Sequence, residues 1–346
     1  MAFNPISWLL GRFSLDIGID LGTANTLVYV RNRGIVINEP SWVTIDKRTR
    51  EPLAVGQKAK EMVGRTAGNF LTLRPVRDGV ISEFDVTQVM LTYFINQVHE
   101  QTIVPLPQPR VVIGIPAGVT EVEKRAVYDA ARSAGAREAY LIEEPIAAAL
   151  GAGLPIGDVR GSMVVDIGGG TTEVAIISLK DVVYCKSVRM GGDEMDRAIV
   201  QYIKRKYNLL VGERTAEMVK ITIGTAMLGS DIKEAVVKGR DLMTGLPKSI
   251  VMSDDEVFEA LTEPIAVIID AVRSALENTP PELSSDLADR GITLAGGTSQ
   301  LKNLTTLIQA ETKLPVRLAE DPLRCVVTGI GKVLDNLDFF RDALMK

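Results

Sequence analysis

The chain has 346 residues, 46% of them hydrophobic, and a formal net charge of −5. That length and apolar content supply about two domains with cores of their own and exclude a disordered chain, while the acidic balance argues against a general affinity for nucleic acid. Two cysteines, Cys185 and Cys325, and a single histidine, His99, leave no metal-ligand cluster for structural zinc, and two lone thiols suit a reducing cytoplasm.

Residues 1–13 are apolar but lack a basic start and a small-residue cleavage site, so they do not read as a signal peptide. They are also shorter than the roughly 20 residues needed to span a bilayer. Placed on a helix at about 100° per residue, Phe3, Ile6, Leu9, Leu10 and Phe13 share one arc of about 120°. Asn4, Ser7, Gly11 and Arg12 lie outside it, and Trp8 flanks it at a position suited to lipid headgroups. Pro5 is tolerated because it falls in the first turn. The segment is expected to lie in a membrane interface; the alternative is an arm packed on its own domain.

Residues 15–31 are apolar and strand-like, interrupted by Asp20-Leu21-Gly22-Thr23, the pattern of a tight hairpin. In Asp20-Leu21-Gly22-Thr23-Ala24-Asn25-Thr26 a glycine lets the backbone approach a phosphate, amides and hydroxyls can bond its oxygens, and an aspartate at a strand end can hold magnesium. An ordinary hairpin would look the same. Residues 89–98 are amphipathic and make His99 a helix-end residue rather than a catalytic one. Ile103-Val104-Pro105-Leu106-Pro107 is a proline-held apolar loop, a second candidate for membrane contact. Residues 110–115 form an apolar run that stops at Pro116. Thr120 and Glu123 make a capping box for a helix ending near Gly135, and residues 139–142 form a short strand. Glu143-Glu144-Pro145 then opens an Ala-rich helix over residues 146–150. A carboxylate there is ordinarily a cap favoured by the helix dipole; the alternative is that it orients a water for attack on a γ-phosphate.

Residues 163–177 repeat the first hairpin: strand, Asp166-Ile167-Gly168-Gly169-Gly170-Thr171-Thr172, strand. The two aspartates lie 146 residues apart, an internal repeat of nearly half the chain, which implies two similar domains facing each other. Three glycines inside a strand pair weaken a sheet by about 0.5–1 kcal/mol each, so a phosphate cradle explains them better than packing does. Two such loops can clamp a polyphosphate, with magnesium between the aspartates. Further on, residues 193–207 and 215–228 read as helices, and residues 234–252 as two strands joined at Thr244-Gly245-Leu246-Pro247. Ser253 and Glu256 cap a long helix reaching about Asn278. Residues 291–295 read as a strand, Gly296-Gly297 as a turn and residues 299–312 as a helix. In third position this Gly-Gly turn fits a wall for adenosine. The P-loop pattern is absent, and a dinucleotide-binding fingerprint is not supported. Alternating strands and helices give a mixed α/β class.

These loops, in this order, resemble those of the actin, sugar-kinase and heat-shock-chaperone ATPase superfamily. The MreB family of bacterial actin homologues is much closer. The resemblance rests on the first phosphate motif, Asp16 to Thr26, and on Asn38-Glu39-Pro40-Ser41, Arg74-Pro75-Val76-Arg77-Asp78-Gly79, Leu141-Ile142-Glu143-Glu144-Pro145, Gly192-Asp193-Glu194-Met195-Asp196 and Gly212-Glu213-Arg214-Thr215-Ala216-Glu217. It covers residues 14–340 or so and implies an actin-like fold: two similar α/β domains, each with a smaller subdomain, and the nucleotide in the cleft between them. The implied division is residues 14–43 with 77–158 and 326–346 for the first large subdomain, and 44–76 for its small one. For the second domain it is 159–194 with 256–325, and 195–255.

The resemblance also implies roles. Asp20 and Asp166 would position Mg²⁺ for ATP. Gly22, Thr23, Ala24, Asn25, Gly168, Gly169 and Gly170 would cradle phosphates. Glu144 and Thr171 would orient the hydrolytic water, with Thr172 nearby. Glu217 and Lys220 would lie around the ribose and adenine, and Gly296, Gly297 and Thr298 would flank the nucleotide. The family commonly has a third glycine where this chain has Thr298. A β-branched residue disfavours positive φ, so either this position is not left-handed here or the loop is reshaped. Residues 229–238 look slightly shorter than in some relatives, as a surface loop would. The loop of Ile103, Val104 and Leu106 matches a membrane-touching loop of the family. The implied protein hydrolyses ATP slowly and forms filaments, as paired protofilaments on the inner face of the cell membrane. With membrane-embedded cell-wall elongation proteins as partners, it would guide wall synthesis in a rod-shaped cell. Two rivals are weighed against this. A peptide chaperone needs a further substrate domain, whereas the chain stops soon after the last motif; a small-molecule kinase needs a catalytic base beside its substrate, and none is identified.

Overall fold

The computed structural model describes residues 14–65, 68–100, 108–229 and 232–345. They divide into two units. One comprises the described residues up to Gly157 together with those from Arg324 onward, and the other is Asp158–Leu323.

In the first unit a five-stranded sheet runs in the order Glu138–Glu143, Arg110–Ile115, Ile17–Leu21, Asn25–Val30, Gly34–Pro40. The last three strands form antiparallel hairpins, the first two pair in parallel with each other, and Arg110–Ile115 pairs in parallel with Ile17–Leu21. Ile17–Leu21 is buried along its whole length, as a strand covered on both faces must be. Helices Phe84–His99 and Glu121–Ser133 contribute Met90, Leu91, Phe94, Ala130 and Ala131 to one core. Thr120 and Glu123 form the expected capping box. A three-stranded antiparallel sheet, Pro52–Val55, Val43–Asp46 and Phe70–Leu73, is added.

The second unit repeats this plan. Its sheet runs Asp181–Val188, Thr172–Ser178, Ser162–Ile167, Ile292–Ala295, Val316–Leu318, antiparallel across the first three and parallel across the last three. The internal repeat of sequence is thus a repeat of topology, with Asp20 and Asp166 near the ends of equivalent strands. A second three-stranded sheet, Leu209–Leu210, Glu234–Asp241 and Pro247–Ser253, is added here. Ser253 and Glu256 form the capping box of the long helix Asp254–Glu277.

Several expectations shift. The helix expected over residues 215–228 is Glu213–Ile223. Gly224 leaves it in an extended conformation, and Thr225 then bridges to Lys302 instead of continuing the helix. The helix expected over residues 299–312 divides for the same reason. A short 3-10 turn, Gly297–Gln300, is followed by Asn303 in the left-handed region and by the helix Leu304–Thr312. Two expectations overlap at residues 234–238, a strand of the pair over residues 234–252 and the end of a surface loop; the strand is the one observed, Glu234–Asp241 pairing with Pro247–Ser253. His99 ends its helix as expected and is buried there. Its Nδ1 lies 2.7 Å from the Ile95 carbonyl, and its Nε2 accepts from the Leu15 amide at 3.0 Å. Burial holds its pKa below the usual imidazole value. Among the described residues no helix is long and apolar enough to cross a membrane.

The first unit is closed by helix Cys325–Asp335, which crosses helix Glu144–Gly151 at glycines. A Cβ on Gly329 would overlap the Ala147 carbonyl, and one on Gly151 would overlap the Cys325 carbonyl. Packed interiors absorb such overlap poorly. We therefore predict that Gly329→Ala lowers unfolding stability by about 1–3 kcal/mol. Gly68→Ala, at a position with nothing within 4 Å of its Cβ, should change it by less than about 0.5 kcal/mol. Urea denaturation of the two variants measures the contrast; equal midpoints would contradict a glycine-dependent crossing.

Candidate functional site

In the first unit, strand Ile17–Leu21 turns through Gly22, Thr23 and Ala24 into Asn25–Val30. Gly22 has no room for a side chain, because its Cβ would lie 2.6 Å from the Asn25 carbonyl oxygen. Ser41 holds this turn from behind. Its hydroxyl donates to the Gly22 carbonyl at 2.6 Å, and its amide donates to the Ala24 carbonyl at 3.0 Å. A trans peptide sets a carbonyl and the following N–H in opposite directions. Fixing Gly22 C=O toward Ser41 therefore turns the Thr23 amide away from it. The Thr23 hydroxyl accepts from the Gly79 amide at 3.2 Å.

Asp20 is buried at the end of its strand. Glu144 opens helix Glu144–Gly151, directly after strand Glu138–Glu143. The two strands run parallel with Arg110–Ile115 between them, so both carboxylates stand at the C-terminal ends of these strands. Gly114 lies next to Ile113, the partner of Ile19, and its Cβ would touch Glu144 Cγ at 3.3 Å. A side chain at Gly114 would press on Glu144.

The second unit builds its loop by the same device with more supports. Gly168 donates its amide to the Thr171 carbonyl at 2.9 Å. Its carbonyl accepts from the Gly192 amide at 3.1 Å and from the Thr298 hydroxyl at 2.8 Å. The Gly169 carbonyl accepts from the Asp193 amide at 2.8 Å. These donors belong to the start of helix Gly192–Tyr207 and to the third loop. With both carbonyls turned inward, the amides of Gly169 and Gly170 face away from that helix. Among the described residues no acceptor takes the amides of Gly169, Gly170 or Thr171. Consecutive unclaimed amides beside a helix start form an anion-binding concavity. The Thr172 hydroxyl, by contrast, is donated to the Met190 carbonyl at 2.7 Å.

Close backbone approach is enforced throughout. A Cβ on Gly191 would lie 2.6 Å from the Gly169 oxygen, and one on Gly192 would lie 2.8 Å from Thr298 Oγ1. Gly296, at φ +82°, would overlap the Ile167 carbonyl and Asp166. Gly297 sits against Leu323. Thr298 belongs to the 3-10 turn and has no positive φ, so the third loop accommodates it without strain.

Lys220, on helix Glu213–Ile223, donates to the Gly192 carbonyl at 2.7 Å and pairs with Asp196 at 2.8 Å. Burial raises the Asp196 pKa to about 6, against the opposing effect of Lys220, and Glu217 adds repulsion. Asp166 is nearly inaccessible, and burial alone pushes its pKa up to about 7. An ionised carboxylate held there calls for a cation beside it.

The structure thus brings Asp166, Gly168, Gly169, Gly170, Thr171, Gly296 and Thr298 together, with Lys220 reaching them through Gly192. Asp20, Gly22, Thr23, Ala24, Asn25 and Glu144 gather in the first unit. Sequence reasoning named the motifs that hold Ser41 and Asp196 without giving either residue a role, and it did not single out Gly191, which the Gly-Gly-Asp-Glu-Met-Asp run opening a helix could have signalled. Phe3, Ile6, Trp8, Leu9, Leu10, Phe13, Ile103, Val104 and Leu106 lie outside the described residues.

Residues 14–342 match the family model described as MreB/Mbl protein. The cell shape-determining protein MreB of Escherichia coli strain K12 is 53% identical over 332 residues, covering 95% of each chain. The cell shape-determining protein Mbl of Bacillus cereus is 49% identical over 326 residues, covering 94% of this chain and 97% of that protein. Crystal structures of MreB5 of Spiroplasma citri bound to AMPPNP and to ADP superpose with a TM-score of 0.89 at 36% identity, covering 95% of this chain and 98% of that one. The fold is therefore actin-like.

The buried Asp166 has a stability consequence in the absence of nucleotide and metal. Its folded-state pKa of about 7 exceeds the ordinary aspartate value of 3.8. The folded state therefore holds the proton more tightly, and stability falls as pH rises from about 4 to about 7. Asp166→Asn removes the penalty. Denaturation in EDTA should find the variant more stable than the parent at pH 8, with the gain vanishing near pH 4. An equal gain at both pH values, or a loss at pH 8, would contradict this assignment.

Proposed function

The chain belongs to the MreB/Mbl family, and on that premise we propose that it is an ATP-dependent, membrane-associated cytoskeletal protein that determines cell shape. It binds Mg²⁺-ATP through both Asp-Gly loops, hydrolyses it slowly and assembles into filaments. The observation that carries the nucleotide reading is the row of unclaimed amides at Gly169, Gly170 and Thr171. A polyphosphate is their natural acceptor, and the AMPPNP and ADP bound by the Spiroplasma relative are ligands of that class.

The residues present fit magnesium. Asp20 and Asp166 are buried carboxylates at equivalent strand ends, and Mg²⁺ asks for only one or two carboxylates beside phosphates and water. When bound, the ion neutralises charge on the phosphates. The chain's own groups do the rest. Amides of the two loops orient the phosphates and disperse the charge that develops during transfer. Glu144 holds and accepts a proton from the attacking water, and the Thr171 hydroxyl helps to place that water. Glu217 lies beside the ribose and adenine.

Self-assembly, as paired protofilaments, follows from the family reading, as do localisation on the cytoplasmic face of the membrane and membrane-embedded wall-elongation partners. Residues 1–13 supply the lipid contact. The five large apolar residues of that segment would contribute on the order of 5–10 kcal/mol before ordering costs, modest for one copy and ample for a filament that binds through many.

Asp166→Ala should abolish Mg²⁺-dependent phosphate release or severely weaken nucleotide binding; wild-type values for both would refute the site. Glu144→Gln should slow hydrolysis by about 10²–10⁴-fold with little change in ATP affinity. A loss of folding in its place would assign Glu144 to helix capping alone. Liposome sedimentation tests the membrane arm. The intact chain should pellet, and a chain lacking residues 2–13 should pellet far less. Equal pelleting of those two and of the deletion combined with Leu106→Ser, with polymerisation intact, would refute it.

A further inference from the structure

The glycine loop of the second unit has three consecutive residues without side chains, so nothing within it selects the orientation of its peptide planes. The peptide joining Gly168 to Gly169 is the decisive one. Its carbonyl receives two donors, the Gly192 amide at 3.1 Å and the Thr298 hydroxyl at 2.8 Å. Its N–H, on the opposite side of the same plane, is the first of the unclaimed amides. The Gly192 donor is common backbone. The Thr298 donor is a side chain, and its absence would leave one hydrogen bond to hold a plane that two now hold.

Thr298 is itself firmly placed. The Leu301 amide donates to its carbonyl at 3.1 Å, closing the 3-10 turn. Before it, the Gly296 amide donates to the Pro322 carbonyl at 2.8 Å. After it, the buried Ser299 hydroxyl donates to the Gly296 carbonyl at 2.6 Å. A hydroxyl on so constrained a turn acts as a fixed strut. Its reach extends to Gly192, whose Cβ, if present, would meet Thr298 Oγ1 at 2.8 Å, while Lys220 clamps the Gly192 carbonyl.

We propose that Thr298 is a positioning residue for the phosphate site: its hydroxyl pins the Gly168 carbonyl and so aims the Gly169 amide at the phosphates. The proposal rests on the nucleotide reading given above. Thr298 acts through the loop, so it governs how long the nucleotide stays bound rather than how it is chemically attacked. A glycine loop held by one bond rotates its peptide more readily and releases the phosphates sooner. Losing one net hydrogen bond, about 1 kcal/mol, corresponds to roughly five- to tenfold.

The test is stopped-flow dissociation of a fluorescent ATP analogue with Mg²⁺ from the full chain, alongside thermal midpoints of the nucleotide-free proteins. Thr298→Val keeps the shape and removes the hydroxyl; Thr298→Ala removes it without a branched side chain; Thr298→Ser restores it. The expected result is dissociation about five- to tenfold faster for Val and Ala, parent-like dissociation for Ser, and nucleotide-free midpoints lowered by no more than about two degrees, as the loss of one hydrogen bond implies in a chain of this size. Parent-like dissociation from Thr298→Ala, with the parent binding normally, overturns the proposal and leaves the nucleotide reading standing. Faster dissociation accompanied by a nucleotide-free midpoint lowered by more than about five degrees also overturns it, since the hydroxyl would then be supporting the fold. A parent chain that binds no nucleotide overturns the reading and the proposal together.

Discussion

A trans peptide cannot turn its carbonyl one way and the following amide the same way, and the site in each unit is built on that coupling. In the first unit Ser41 takes the Gly22 carbonyl and turns the Thr23 amide away from it. In the second, Gly192, Asp193 and Thr298 take the carbonyls of Gly168 and Gly169, and the amides of Gly169 and Gly170 turn the other way. The supporting structure behind each loop therefore decides which groups remain for a ligand. Glycine is needed because the supports come so close. At Gly22, Gly191, Gly192 and Gly296 a Cβ would meet backbone or polar side-chain atoms at or inside contact distance.

The rest of each unit serves to hold those supports. Equivalent five-stranded sheets carry Asp20 and Asp166 near equivalent strand ends. Helix Glu144–Gly151 is anchored by a glycine-mediated crossing with helix Cys325–Asp335, which fixes where Glu144 begins its helix. In the second unit Lys220, paired with the buried Asp196, fastens helix Glu213–Ile223 to the Gly192 carbonyl. Several of these features work against stability in isolation: glycines inside a sheet, a carboxyl at Asp166 pushed up by burial, and a second buried carboxyl at Asp196. Their concentration around two loops is the pattern of a site whose ligand contributes what the empty protein lacks.

Much of this was legible in the residues. The repeated Asp-x-Gly loops disclosed the duplicated plan because a tight turn with glycines leaves an unmistakable break in two apolar runs. The capping boxes at Thr120 and Ser253 were readable because they are local. What escaped depends on contacts distant in sequence. Helix Glu213–Ile223 stops where Thr225 bridges to Lys302, and that bridge also falls where the helix expected over residues 299–312 divides. Ser41, 19 residues beyond Gly22, reads as an ordinary turn serine until its two bonds are seen. Thr298 was visible as a departure from glycine, but its use as a donor to Gly168 follows only from the packing of one loop on another.

The central claim is that the amides of Gly169, Gly170 and Thr171 face a polyphosphate because the carbonyls behind them are occupied. A crystal structure of the chain with Mg²⁺ and a non-hydrolysable ATP analogue tests it most directly. The account predicts phosphate oxygens within hydrogen-bond distance of those three amides, with the Gly168 carbonyl still receiving the Gly192 amide and the Thr298 hydroxyl. Phosphates bound away from the loop, or a Gly168 carbonyl rotated toward the ligand, would contradict it.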